Sequence, residues 1–364
     1  MFFKFLLAFL GFSLSASLYA QIVTIDVTDY GTIVDPTLIA FIDSQIQTAE
    51  TTINKDLPSG TPDRLMQGMA NSSVMAGKGI GTDYASNMSV FLIGGGVGIG
   101  ADLEKPPGTD SPVSGIGVAP GIIVGLNLGF MDSTTFLGMR TDKLNLYFNF
   151  MSYDLRKETG DPGKETVIDI SMLAFGTHLR YDWIGGNGSR IFGWGGVKFT
   201  LGFESNKTKF DIKSTLNEEV NETASTGEVI HGTITGSPES SILATTTSIP
   251  LAISTDIQFL YFISLYTGLG VDYNMGQAKG KGVLNGNDST LACDTGGICA
   301  PGGETTITVK PSANLDSTVK VDPFTYRAFA GFQFNLPWTR VFVQVDKSLS
   351  NDLVGATAGV RFAF

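Results

Sequence analysis

Along residues 87–364 apolar side chains recur at every second position in ten stretches: about 87–103, 113–131, 143–156, 166–184, 191–212, 247–261, 263–276, 324–335, 340–348 and 353–364. A period of two places alternate residues on opposite faces of a strand. In the sixth stretch Ile249, Leu251, Ile253, Ile257, Phe259 and Tyr261 share one face, and Ala252, Ser254, Asp256 and Gln258 the other. The fifth, seventh and ninth sort in the same way. They set Phe199, Leu201 and Phe203 against Lys198, Thr200 and Glu204, Leu269 and Val271 against Asp272, and Val343 and Val345 against Gln344 and Asp346. The fourth loses its alternation at Met172-Leu173, which predicts a β-bulge there. Each stretch is long enough to cross a bilayer as a tilted strand.

Upstream of residue 87 the period changes to that of helices. Asp35-Pro36 supplies an N-cap and a first-turn proline, and Leu38, Ile42, Ile46, Ala49 and Ile53 follow at helical spacing, predicting an amphipathic helix over 36–55. Thr61-Pro62-Asp63 opens a shorter helix carrying Leu65, Met66 and Met69. At the start, Lys4, the apolar run Phe5–Phe12, the small residues Ser13–Ser17 and Ala20 have the layout of a secretory signal peptide cleaved after Ala20. Gln21 in place of cysteine argues against a lipid-modified terminus. The expected division is a signal peptide at 1–20, a helical or plug segment at 21–86 and strands at 87–364.

After the signal segment no run of 18 apolar residues occurs, so any membrane crossing has to be made by strands. Connector lengths refine this. Gly185–Arg190 and Leu336–Trp338 are tight, whereas 213–246 and 277–323 are long. Transmembrane barrels keep tight turns in the periplasm and long loops outside. An even strand number then places both termini in the periplasm and the two long segments outside as polar loops.

Composition supports strands and turns, with 45 Gly, 25 Phe and 10 Tyr and only 16% charged residues. The formal charge of −11 opposes binding to nucleic acid, whose phosphates need a basic face. Cys293 and Cys299, in a Gly-rich polar stretch of an exported chain, read as a small disulfide loop. The only histidines are His178 and His231, and neither stands near the cysteines in a ligand pattern, so no metal or other cofactor is expected.

Gly94–Asp102 contains a G-x-G-x-x-A match, but no helical pattern follows it, which argues against a dinucleotide loop. The alternation offers another account. Gly94, Gly96, Gly98 and Gly100 fall on one face and leave space beside the wall for a plug, either 36–55 or 61–86, or they permit curvature. His178, Arg180, Asp182, Lys198, Glu204, Asp256, Asp272, Arg327, Asp346 and Arg361 all fall on inward faces. Mixed charges inside a narrow barrel make a neutralised polar core, because an unpaired buried charge is costly.

The closing strand sets Phe364, Phe362, Val360, Ala358 and Ala356 against Arg361, Gly359 and Thr357. With the signal peptide and ten alternating stretches, it makes residues 87–364 resemble a Gram-negative outer-membrane β-barrel protein. The resemblance implies an all-β, antiparallel up-and-down barrel of about ten strands, from eight to fourteen, in contact with outer-membrane lipid. It also implies that Phe362 and Phe364 form a signal read by the barrel assembly machinery. A secreted β-sandwich alternates too, but its strands are usually shorter. Three functions follow as expectations. The first is passage of a small solute through a plugged lumen, a hydrophobic one if the resemblance extends to plugged fatty-acid transporters. The second is an adhesin that binds an extracellular protein through the long segments. The third is a rim hydrolase, against which stand the lack of a nucleophile and base at a recognisable spacing and the expected place of His178 toward the periplasmic end.

Overall fold

Ten strands close into one antiparallel ring. They are β1 (Phe91–Asp102), β2 (Gly115–Asn127), β3 (Leu144–Thr159), β4 (Thr166–Gly188), β5 (Phe192–Ser214), β6 (Val229–Phe259), β7 (Ile263–Gly286), β8 (Phe324–Asn335), β9 (Thr339–Ser348) and β10 (Leu353–Ala363). Each pairs with the next in sequence. β10 returns to β1, with Ala356 opposite Ile99 and Phe362 opposite Ile93. Closure leaves the ring no free edge, which matters where no water can satisfy backbone N–H and C=O groups. The computed structural model describes residues 24–29, 62–85, 90–104, 113–131, 138–159, 165–188, 191–223, 229–287, 289–293 and 305–364, together with residues 135–136 and Ala40, Asp43, Ser44 and Gln47. The signal segment 1–20 and Cys299 lie outside the described residues, and Cys293 ends a short strand, Ser289–Cys293.

The ring is polar inside and apolar outside. Phe148, Phe150, Leu173, Phe175, Leu201, Phe203, Leu251, Leu269, Val343 and Val345 are exposed on outward faces, while Arg180, Lys198, Asp272, Arg327, Asp346 and Arg361 are buried inside. Water would penalise this arrangement and lipid rewards it, so the fold is a transmembrane β-barrel. Exposed aromatics, among them Trp183, Phe192, Trp338 and Phe364, lie near the end where three of the four connections are three residues long, the fourth being 128–143 between β2 and β3. There Phe364 and Phe91 exchange two backbone hydrogen bonds of 2.8 and 3.1 Å, sealing β10 to β1.

The two ends differ in height. β6 runs for 31 residues and β9 for 10, so β3 to β7 rise as a wall above the rest of the ring. Segments 213–246 and 277–323, expected as loops, contain strands. Leu216–Thr223 pairs with Val229–Gly236, Thr305–Lys320 pairs with β7 along Gln277–Asn285, and Ser289–Cys293 lies between β6 and Thr305–Val309. The stretch is rich in β-branched residues, such as Val229, Ile230, Thr233, Ile234 and Thr245–Thr247. It lacks apolar alternation because neither face meets lipid.

β4 corrects a second expectation. Its register with β3 is unbroken from Tyr181 opposite Leu144 to Thr166 opposite Thr159, with no bulge at Met172-Leu173. The irregularity lies between Asp182 and Ile184, against β5. Leu173 and Phe175 face outward, Ile170 and Met172 face an apolar collar inside, and Ala174 is buried on that same inner side, so both faces of this segment are hydrophobic. β2 and β3 pair only over Ile122–Asn127 and Asn145–Phe150. Pro120, just beyond, has no N–H to donate, and the strands part there.

The segment before the ring is not confined to the turn end. The helix α1 (Pro62–Ala76) enters the lumen from the tall end, and residues 77–85 continue toward the start of β1. Thr24–Asp29 forms a strand on Thr308–Ser312, also at the tall end. Of the helix expected over 36–55, Ala40, Asp43, Ser44 and Gln47 are helical and exposed, and the remainder lies outside the described residues.

Candidate functional site

The lumen is occupied by residues 62–85. Pro62 at the first helical position and Asp63 in the first turn start α1, and Asp63 accepts a 2.6 Å hydrogen bond from Ser317. Leu65, Met66, Met69, Ala70 and Val74 form its apolar stripe. They pack into a collar of Ile170, Phe210, Ile242, Ala244, Ala278 and Val321. Beside the stripe, Arg64 donates to both carboxylate oxygens of Asp102 at 3.0 Å. Asn71 donates to Asp322 at 2.8 Å, and Asp322 N–H donates back to Asn71 at 3.0 Å.

Glycines set how closely the helix approaches the wall. A Cβ on Gly98 would stand 1.9 Å from the Ala76 carbonyl oxygen, and one on Gly100 2.1 Å from that of Ser72. On β2, Gly115 meets Gly68 and Gly117 meets Ser72 in the same way. Gly94 and Gly96 instead lie closest to the backbone of β10, near Val360 and Ala358. Below the helix, Gly79 turns at φ +81°.

The lower lumen is a network of ion pairs. Lys78 Nζ donates to Glu204 Oε2 at 2.7 Å and to Ser248 Oγ at 2.9 Å, and lies 3.5 Å from Asp272. Glu204 Oε1 is 3.0 Å from His178 Nε2. Arg327 bridges Asp272 at 2.9 Å and Asp346 at 2.8 Å. Arg361 donates to the carbonyls of Gly79 and Thr82 at 3.1 and 2.7 Å, and its guanidinium lies 3.6 Å from the Phe342 ring centroid. Arg340 and Arg361 both approach Asp83, Arg180 donates to the Asp83 carbonyl and pairs with Asp182 at 3.2 Å, and Lys198 pairs with Asp256. The plug ends in Tyr84, whose ring lies 4.6 Å from that of Phe329 and 6.0 Å from that of Tyr266.

Six cationic side chains (Lys78, Arg180, Lys198, Arg327, Arg340 and Arg361) thus meet six carboxylates (Asp83, Asp182, Glu204, Asp256, Asp272 and Asp346). Opposite charges in equal number remove the cost of isolated buried ions. His178, Arg180, Lys198, Glu204, Asp256, Asp272, Arg327, Asp346 and Arg361 are buried together here, and Asp182 is partly exposed at the edge of the network. Lys78 and Asp83 come from the plug and Arg340 from β9; sequence reasoning did not single them out. The signal available for Lys78 and Asp83 was their position in a short Gly-rich segment next to an apolar helix.

His178 lies opposite Tyr147, three residues into β3 from the turn end, and against Gly81 near the lower end of the plug. It is wedged between two glycines, since a Cβ on Gly81 or on Gly202 would lie 2.2 or 2.3 Å from its ring. The ring is 3% exposed, so no substrate reaches it while the plug is in place. His231 lies in β6 opposite Ala292 and Asn221. Among the described residues no group of His, Cys, Asp and Glu is arranged to hold a metal ion.

Comparison with solved structures gives distant likenesses. The translocator domain of the autotransporter NalP from Neisseria meningitidis is 10% identical, with 92% of this chain and 99% of that one covered and a TM-score of 0.30. The Pseudomonas putida toluene transporter TodX is 7% identical, with 82% and 98% covered and a TM-score of 0.26. Ail, the attachment invasion locus protein of Yersinia pestis, is 12% identical, with 76% and 99% covered and a TM-score of 0.20. No curated protein matches the sequence. The family model described as Lsa36-like matches residues 17–364, and the chain belongs to that family.

Proposed function

We propose that this chain is an outer-membrane surface protein in which a sealed barrel anchors an extracellular sheet that binds a protein outside the cell. The observation that carries the reading is the lumen. Residues 62–85 fill it and are tied to the wall by an apolar collar and a charge-balanced network. A barrel used for passage needs a path or a loosely held gate, whereas a structural anchor needs neither.

The tall end faces outward in this reading, because transmembrane barrels keep their short turns in the periplasm. The extracellular part is then the wall of β3 to β7, the strands Leu216–Thr223, Ser289–Cys293 and Thr305–Lys320, and the strand Thr24–Asp29 at its edge. Export through residues 1–20 and insertion by the barrel assembly machinery, with Phe362 and Phe364 as its signal, complete the route.

Two measurements test it. The purified chain added to planar bilayers gives conductance at background, and a steady open-channel current overturns the sealed anchor. Displayed on a non-adherent bacterial host, the chain attaches the cells to at least one of a panel of immobilised extracellular proteins. A variant with the hairpin Leu216–Gly236 replaced by a short turn loses that attachment. Attachment at background across the panel overturns the binding role.

A further inference from the structure

Above the apolar belt the outward face of β5, β6 and β7 carries a basic patch in a chain of net charge −11. Lys209 and Lys279 both pair with Leu243 of β6, from opposite sides. Lys281 pairs with Ser241 in the next outward row toward the tall end, and Lys207 with Thr245 in the row below. All four lysines are exposed and lie on the lipid-facing side. Lys209 donates to Asp211 at 2.5 Å and Lys281 stands opposite Asp316 of the strand Thr305–Lys320, whereas Lys207 and Lys279 have no carboxylate opposite them on either neighbouring strand.

Their height gives the patch its meaning. The last exposed apolar residue below is Phe203 on β5 and Met275 on β7, each four positions before the first lysine of its strand. Four residues along a tilted strand rise roughly 10 Å, which carries the lysines out of the hydrocarbon and into the headgroup layer. Long ammonium side chains there reach down to phosphates while their stems lie on apolar surface. Neighbouring strands are about 4.8 Å apart, so Lys209 and Lys279 flank β6 at roughly 10 Å, a span that two lysines close around one headgroup. Leu243 lies between them, and Leu173 of β4, exposed and opposite Lys207, marks where the apolar belt meets the patch.

We infer that Lys207, Lys209, Lys279 and Lys281 form a binding site for the phosphomonoester headgroup of a lipid in the adjoining leaflet. The inference rests on the transmembrane barrel alone and stands or falls separately from the adhesive role. Such a site would hold the tall wall upright by pinning its base to lipid on one side.

The test uses the full chain reconstituted in phosphatidylcholine nanodiscs with 10 mol % phosphatidic acid as the phosphomonoester probe, with co-purifying lipid counted by native mass spectrometry. Phosphatidic acid should make up at least about half of the retained lipid, roughly fivefold over its share of the bilayer, with the excess falling as salt is raised. The variant Lys207→Gln/Lys209→Gln/Lys279→Gln/Lys281→Gln should lose the enrichment. Lys213→Gln, which removes a lysine paired with Glu239 farther up, should keep it. Equal retention by the quadruple variant, folded as judged by heat-modifiable mobility, overturns the inference. So does full displacement of the lipid by inorganic phosphate at the same concentration, which would mark a site for free anions.

Discussion

Lys78→Met would test whether charge pairing holds the plug. The substitution keeps the length and apolar character of the stem and deletes the ammonium. Lys78 and Glu204 have side chains 1% and 7% exposed, with Nζ 2.7 Å from the carboxylate. Removing one partner of a buried pair leaves an uncompensated charge and typically costs about 3–5 kcal/mol. Here Glu204 retains only His178, and Asp272 keeps Arg327, so Glu204 bears most of the loss. Adding Glu204→Gln removes the stranded charge, so the double variant should recover at least about 2 kcal/mol relative to the sum of the single changes. Urea unfolding of the detergent-solubilised chain, followed by tryptophan fluorescence, gives the four free energies of the cycle. A Lys78→Met value within about 0.5 kcal/mol of the parent, or an additive cycle, would refute the reasoning, since exposed pairs behave that way.

Two further outcomes follow from placement. Gly98→Val drives a side chain into the Ala76 carbonyl, where backbone cannot yield cheaply, and should cost about 1–3 kcal/mol. Gly95→Ala, whose Cβ meets nothing nearer than 3.4 Å, should leave stability unchanged, and equal heat-modification temperatures for both variants would contradict the close helix approach. Thr24→Cys should react with a membrane-impermeant maleimide on intact cells, because Thr24 pairs with Ser312 at the tall end. Labelling that needs outer-membrane permeabilisation would place that end in the periplasm instead.

The period of two made the ten strands legible, because lipid outside and charge inside impose opposite demands on successive residues. Where those demands lapse, the reading fails. On β4, Ile170 and Met172 face an apolar collar and Ala174 is buried on the same inner side, so alternation vanishes from a regular strand and resembles a bulge. Beyond the belt neither face meets lipid, and β6 continues upward as strand through residues whose pattern reads as loop. The ten inward charges could be recognised from their side of the strand. Their pairing could not, since Lys78 is 126 residues from Glu204 and Arg361 282 residues from Gly79.

What the sequence determined by itself is therefore the wall: strand number, order, inward and outward faces, and a glycine face on β1 that offers room beside it. Only the tertiary structure decided which segment takes that room, from which end it enters, and that its charges balance those of the wall. Alternation is a local response to two solvents and is written residue by residue. The fit of a plug depends on contacts between distant parts of the chain, which exist only once the ring has closed.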